Sequence, residues 1–125
     1  MMDSTAERLR LLESILDHMN VAVTYTNSEG IILYCNPIAV QRPTKTPRKV
    51  GMNIRDCHKE ETDKKVSRIF GDFVNGRREP HHYISKLTGK KELVTLIPFF
   101  EEDVFVGCMS QIHLLEVEGE ERSFT

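Results

Sequence analysis

The chain has 125 residues, of which 39% are hydrophobic and 29% are charged. This length and composition predict one soluble globular domain with a single hydrophobic core. The net charge of −2 gives no electrostatic reason to expect a nucleic-acid partner, and no apolar run reaches the length of a membrane span. Because the N-terminus also lacks a signal-peptide core, we expect a cytoplasmic protein with no nucleic-acid or membrane partner.

The N-terminal segment predicts a helix over residues 3–19. Ser4 and Glu7 match a capping box, in which the hydroxyl and the carboxylate satisfy free backbone amides. Apolar residues follow at spacings of three and four, which gives a short a/d seam. The seam predicts either packing on the same domain or a contact in a homodimer, and we keep both interpretations. Its residues are Leu9, Leu12, Leu16 and Met19.

The next segment predicts an antiparallel hairpin. Residues 21–26 and 31–35 are rich in β-branched and aromatic side chains, and the turn between them ends in Gly30. Asn36 then suits the N-cap of a short helix, and Pro37 suits its first position.

A basic, proline-rich stretch, residues 42–49, predicts an exposed connection. After it, residues 62–75 predict one amphipathic helix whose start is either Thr62 or Glu60, closed by Asn75-Gly76. One face of this helix carries apolar residues at i, i+3, i+4, i+7 and i+8. They are Val66, Ile69, Phe70, Phe73 and Val74.

The C-terminal third predicts three strands, over residues 79–87, 91–100 and 104–115. Pro98 indicates an edge position or a bulge in the second strand, since proline cannot donate to the sheet. Residues 116–125 are acidic and polar and predict a frayed tail. The fold class is therefore α+β: a five-stranded antiparallel sheet covered on one face by connecting helices, plus the N-terminal helix. We divide the chain into that helix (1–19), a domain over residues 20–115, and the tail.

This order of elements, with several short motifs, resembles the PAS domain, a sensory module of signalling proteins. The hairpin motif passes through Thr26, Gly30, Tyr34 and Asn36, and "F-x-x-G" closes the long helix at residues 73–76. A narrower resemblance, to PAS-like domains of bacterial and archaeal regulators, is carried by "R-x-x-G-x-x-I-R-D-C-H" at residues 48–58.

Two positions depart from these patterns. Lys59 stands where the subgroup often has proline. Residues 113–115 read His-Leu-Leu where PAS domains commonly have an Asp-Ile-Thr triplet that couples to a downstream helix.

The resemblance implies a pocket between the sheet and the long helix, which holds a small molecule in some members and is filled by side chains in others. Both alternatives stay open here. The residues expected to line the pocket come from the hairpin, the long helix and the last two strands. They are Val23, Leu33, Ile69, Phe70, Phe73, Leu96, Met109 and Ile112.

His58 has two interpretations. The resemblance implies a haem ligand, because some PAS domains bind haem through a histidine near the long helix, and Cys57 is a second candidate ligand. The alternative is that Asp56 and His58 cap the helix that follows. Flavin photochemistry is not predicted, because residues 56–59 lack the Asn-Cys-Arg-Phe motif of the light-sensing subclass.

No metal site, disulfide framework or enzyme activity is predicted. His81 and His82 are adjacent, so on a strand they point to opposite faces. The three cysteines, Cys35, Cys57 and Cys108, are widely spaced and predict reduced thiols. The sequence contains no P-loop, nucleophile elbow or HExxH motif.

The resemblance therefore implies a sensory domain that responds to a small molecule or a partner and transmits the change through its terminal helix. The alternative is a protein-interaction module with a filled core that recruits a partner through the outer sheet face. A weaker alternative is a haem-based gas or redox sensor. We expect a homodimer, and the effector or partner protein is not specified by the sequence.

Overall fold

The computed structural model describes residues 4–44, 46–86 and 89–115. The predicted frayed tail, residues 116–125, lies outside them. The elements follow the predicted order. They are α1 (Ser4–Asp17), β1 (Ala22–Asn27), β2 (Ile32–Cys35), α2 (Pro37–Val40), a 3₁₀ helix (Ile54–Cys57), α3 (Glu60–Val74), β3 (His81–Ser85), β4 (Glu92–Glu101) and β5 (Val104–Leu114).

The five strands form one antiparallel sheet in the order β2-β1-β5-β4-β3. The predicted hairpin of β1 and β2 is confirmed, and so is the five-stranded antiparallel α+β architecture. The last strand lies at the centre, between the first hairpin and β4. Thr24 of β1 is thereby placed opposite Ser110 of β5, 86 positions later in the chain.

The core lies between the inner sheet face and α3. Val66, Ile69 and Phe73 of α3 are buried, and Ile69 and Phe73 pack with sheet residues that include Phe105. Val74 is 66% exposed, so its assignment to the apolar face is wrong. Eight residues beyond Val66, its side chain has rotated by about 80° around the helix, which places it at the rim of the buried face.

The predicted end of α3 is confirmed. Asn75 is the C-cap, and Gly76 has a φ of 105°. Its N–H donates to the carbonyl of Phe73, and the N–H of Arg77 donates to the carbonyl of Asp72, both at 3.0 Å. This pair of bonds is a Schellman motif, which satisfies carbonyls that the helix leaves free.

Pro98 lies in β4, which pairs with β5 on one side and with β3 on the other. Because β3 pairs only with residues 92–96 of β4, Pro98 has β5 alone as a neighbour, and a register shift follows between Phe99 and Phe100. The expectation of an edge position or a bulge is therefore confirmed. Proline has no backbone N–H, and no strand among the described residues lies on the β3 side of Pro98 to require one.

Helix α1 buries none of its residues. Leu9 is 57% and Leu12 is 49% exposed, whereas Leu16 and Met19 at the end of the seam are half-buried. The helix is held near its C-terminus, where Tyr34 donates to Asp17 at 2.7 Å. None of the helices in the described ranges is long and apolar enough to span a membrane.

Candidate functional site

A cavity of about 120 Å³ lies between the inner sheet face, α3 and the segment that precedes α3. Its lining is partly apolar and partly polar. The apolar lining includes Ile54, Val66, Phe70, Leu96 and Ile112. The polar lining includes Thr24, Thr26, Arg42, Arg48, His58 and Ser110.

The segment from Arg48 to His58 reaches the cavity because it runs along the free edge of β2. Its backbone exchanges bonds with that edge: Gly51 N–H donates to the carbonyl of Ile32 at 2.8 Å, and Ile32 N–H donates to that of Met52 at 2.9 Å. Gly51 has a φ of 96°, a conformation in which side chains are strained. The "R-x-x-G" motif thus turns the chain so that Arg48 points beneath the sheet.

Arg48 is the most unusual residue of the site. It is only 6% exposed, and its Nη1 donates to Thr24 Oγ1 at 2.7 Å. Burial, with a further contribution from the positive charge of Arg42, lowers the pKa of its guanidinium. No carboxylate in the described part of the chain lies within ion-pair distance of it. The prediction of an exposed connection over residues 42–49 is therefore wrong at this position.

Arg42 also turns inward, but it has a partner. Its Nη1 lies 2.6 Å from Glu92 Oε2, and both side chains are largely buried. Neither arginine was among the expected pocket residues. The signal available in the sequence was the motif at residues 48–58, whose first residue is Arg48, but composition made the stretch look like a solvated loop.

Four buried polar atoms at the cavity have no hydrogen-bond partner among the described residues. They are Thr26 Oγ1, Arg42 Nε, Arg48 Nε and His58 Nδ1. Buried polar atoms are nearly always paired with protein or water, so a cluster of unpaired atoms at one cavity indicates a place for another polar group.

The expected lining residues divide into three groups. Phe70, Leu96 and Ile112 line the cavity, whereas Ile69 and Phe73 lie in the adjoining core. Val23, Leu33 and Met109 are not lining residues, which corrects their assignment. Val23 and Met109 alternate with Thr24 and Cys108, which do line the cavity, and successive strand residues point to opposite faces. Leu33 is 52% exposed.

His58 and Cys57 both line the cavity. Burial, and secondly the charge of Arg48, lowers the pKa of His58 to about 4, so the ring is neutral at pH 7. Burial raises the pKa of the Cys57 thiol, which disfavours the thiolate that ligation or nucleophilic chemistry requires. Lys59 is the N-cap of α3 and makes no side-chain capping bond, so neither Asp56 nor His58 caps that helix.

Haem does not fit this cavity. Cavities of about 150 Å³ hold molecules the size of benzene, and a porphyrin is several times larger than the space of about 120 Å³ beside His58.

The adjacent residues His81 and His82 on β3 contact different partners, as the alternation of side chains along a strand predicts. His81 Nε2 lies 3.0 Å from Asp72 Oδ2 on α3, and His82 Nδ1 lies 3.0 Å from Thr95 Oγ1 on β4. In the described ranges, no three His, Cys, Asp or Glu side chains are grouped so that they would hold a metal ion.

Comparisons with known proteins agree with this architecture. The sequence model of a family described as PAS domain matches residues 12–107. No curated protein matches the chain.

Solved structures show the same fold. A C-terminal domain from Streptococcus mutans is 26% identical with a TM-score of 0.69, over 86% of this chain and 85% of that one. The PAS domain from Bordetella pertussis BvgS is 15% identical with a TM-score of 0.63, over 89% and 88% of the two chains. A sensory box sensor histidine kinase structure from Vibrio cholerae is 14% identical with a TM-score of 0.63, over 91% and 97%.

Proposed function

Because this chain belongs to the PAS domain family, we propose that it is a sensory domain that binds a small molecule in the cavity beneath its sheet. The observation that carries the proposal is the group of unpaired buried polar atoms at this one cavity. Leaving a buried donor or acceptor unpaired costs about 1–3 kcal/mol. A ligand that pairs with these atoms recovers part of that cost on binding, which a packed core cannot do.

Asn36 supplies a route from the cavity to α1. Its side chain is fully buried and makes four hydrogen bonds. Oδ1 accepts from the N–H groups of Val23 and Ala39, at 3.0 and 3.1 Å. Nδ2 donates to the carbonyls of Val21 and Leu16, at 2.8 and 3.2 Å. A shift of β1 on ligand binding would therefore move the end of α1, the kind of element that signal transmission requires.

The cavity is tested by filling it. Ser110→Phe places a ring in the cavity from β5, and Gln111→Phe, at the next position, places the same ring on the opposite sheet face. Pools of small acids, amides and amines would be added to each ¹⁵N-labelled protein. We expect at least one pool to shift the backbone amides of cavity residues in wild type and in Gln111→Phe but not in Ser110→Phe. Absence of such shifts with every pool would reject the cavity as a ligand site.

We also propose that α1 forms a homodimer contact through Leu9, Leu12, Leu16 and Met19. The exposure of Leu9 and Leu12 supports this, because a helix with an apolar seam and no buried residue gains from covering it. The double variant Leu9→Glu/Leu12→Glu should weaken self-association in light scattering, whereas Leu33→Glu, on β2, should not. An unchanged oligomer in the double variant would exclude this helix as the contact.

The second candidate is a protein-interaction module that uses the outer sheet face. Apolar side chains there remain partly exposed, and Tyr25 and Phe99 pack edge to face, with ring centres 5.0 Å apart. The set includes Tyr25, Leu93, Ile97, Phe99 and Met109. The ligand pools separate the two functions, because an interaction module with a filled core gives no cavity shifts.

A further inference from the structure

We propose that the cavity recognises a small organic monocarboxylate, with Arg48 as the residue that binds its charge. This inference rests on the proposed function, since it names the chemical class of ligand for the same cavity.

The charge balance of the cavity favours an anion. The described lining contains the cations Arg42, Arg48 and Lys59 but no aspartate or glutamate. Glu92 lies against Arg42, whereas no described carboxylate lies against Arg48. A buried charge without an opposite charge is costly, because it has lost its water and gained no counter-ion. An anion beside Arg48 supplies the missing charge.

The hydrogen-bonding geometry favours a carboxylate among anions. Thr24 occupies Nη1 of Arg48, and Nε is buried and unpaired. Nε and Nη2 form one edge of the guanidinium, and the two parallel N–H bonds of that edge match the two oxygens of a carboxylate. Thr26 Oγ1 and His58 Nδ1 also have no partner among the described residues, and both can donate, the histidine in the tautomer that protonates Nδ1.

The apolar lining residues restrict the part of the ligand that lies beyond its carboxylate. Ile54, Val66, Phe70, Leu96 and Ile112 contribute apolar surface to the cavity, which suits a short hydrocarbon chain or a ring and disfavours a second charge. The volume of about 120 Å³ suits a small ligand, by comparison with cavities of about 150 Å³ that hold benzene. Nucleotides and phosphorylated sugars are too large and too polar for this space.

The test compares acids with amides of the same shape. Butyrate and benzoate, and then butyramide and benzamide, would be titrated into the ¹⁵N-labelled protein in a buffer free of carboxylates. We expect at least one acid to give saturable shifts at the amides of Leu96 and Ile112, with its amide binding at least tenfold more weakly. We also expect Arg48→Met to lose at least tenfold in affinity for that acid, whereas Arg68→Met, on the exposed face of α3, keeps it.

The outcomes separate this inference from the proposed function. Equal binding of acid and amide, or full affinity in a folded Arg48→Met, would overturn the carboxylate inference and leave a neutral-ligand cavity. Binding of chloride that displaces the acids at equal concentration would also overturn it, because it would make the cavity a halide site. If neither acids nor amides shift any cavity residue, this inference fails, and the ligand-binding function fails with it if the amine pools also give no shifts. The comparison of acids with amides in wild type needs no variant, so it stands even if Arg48→Met misfolds.

Discussion

The two inward-facing arginines should respond oppositely to the same substitution. Methionine approximates the volume of the arginine stem without its charge. Arg42→Met removes the cation 2.6 Å from Glu92, in a pair that is largely buried, and breaking such a pair costs about 3 kcal/mol. Arg48→Met removes a buried cation that has no carboxylate partner in the described chain.

The expected change in the free energy of unfolding for Arg48→Met is the difference between two opposing effects. Losing the bond from Nη1 to Thr24 (2.7 Å) costs about 1–2 kcal/mol. Ending the burial of an uncompensated guanidinium returns several kcal/mol of desolvation free energy. We therefore expect the free energy of unfolding of Arg48→Met to be unchanged or raised by up to about 2 kcal/mol.

The assay is urea denaturation followed by circular dichroism, on protein refolded from denaturant so that no co-purified ligand remains. The slope of the transition should be equal in all three proteins, so that midpoints report stability. If Arg48→Met loses as much stability as Arg42→Met, then Arg48 is a compensated structural residue, and the argument that its charge awaits a ligand is refuted.

Three further predictions concern single residues. Gly107→Ala would place a Cβ 2.6 Å from the backbone carbonyl of Thr26, so thermal unfolding should show that the free energy of unfolding falls by at least about 2 kcal/mol. Gly71→Ala, in mid-helix with open space around it, should raise the free energy of unfolding by about 0.5–1 kcal/mol. Equal effects of the two substitutions would contradict this reasoning. Asn36→Ala removes four hydrogen bonds, two buried and two part-buried, and should cost about 3–4 kcal/mol. A loss below about 1 kcal/mol would show that the network is replaceable. Because the pKa of His58 is lowered from 6.5 to about 4, the unfolded chain binds a proton between these values and the folded chain does not. The free energy of unfolding should therefore fall by about 3 kcal/mol as pH falls from 6.5 to 4. In His58→Gln, measured under the same conditions, this contribution to the pH dependence should be absent.

Local signals in the sequence were sufficient for most elements. The end of α3 at Asn75-Gly76, the cap formed by Asn36 and Pro37, and the turn at Gly30 each depend on residues within about four positions of one another. Their bonds are made inside the same short segment, so residue type and spacing predict them. The α+β class followed, because strands of this length need a face to cover and α3 has an apolar face to bury.

The site was predicted only in part. Phe70, Leu96 and Ile112 were expected at the cavity and lie there, because strand and helix periodicity fixes which side chains face inward. Arg42 and Arg48 were missed. The composition of a basic, proline-rich stretch predicts a solvated loop. Only the tertiary structure shows that Gly51 binds the edge of β2 and turns this stretch beneath the sheet.

The sequence by itself determined the order of the elements, the end of α3 and most of its inward face, since these follow from backbone preferences over a few residues. Tertiary structure alone decided that β5 lies between β1 and β4, and that Arg48 meets Thr24, which lies 24 positions earlier in the chain. Such contacts depend on which distant segments pair, and the free energy of a buried charge depends on its neighbours in space. The polar lining of the cavity is therefore a property of the fold, although each of its residues is visible in the chain.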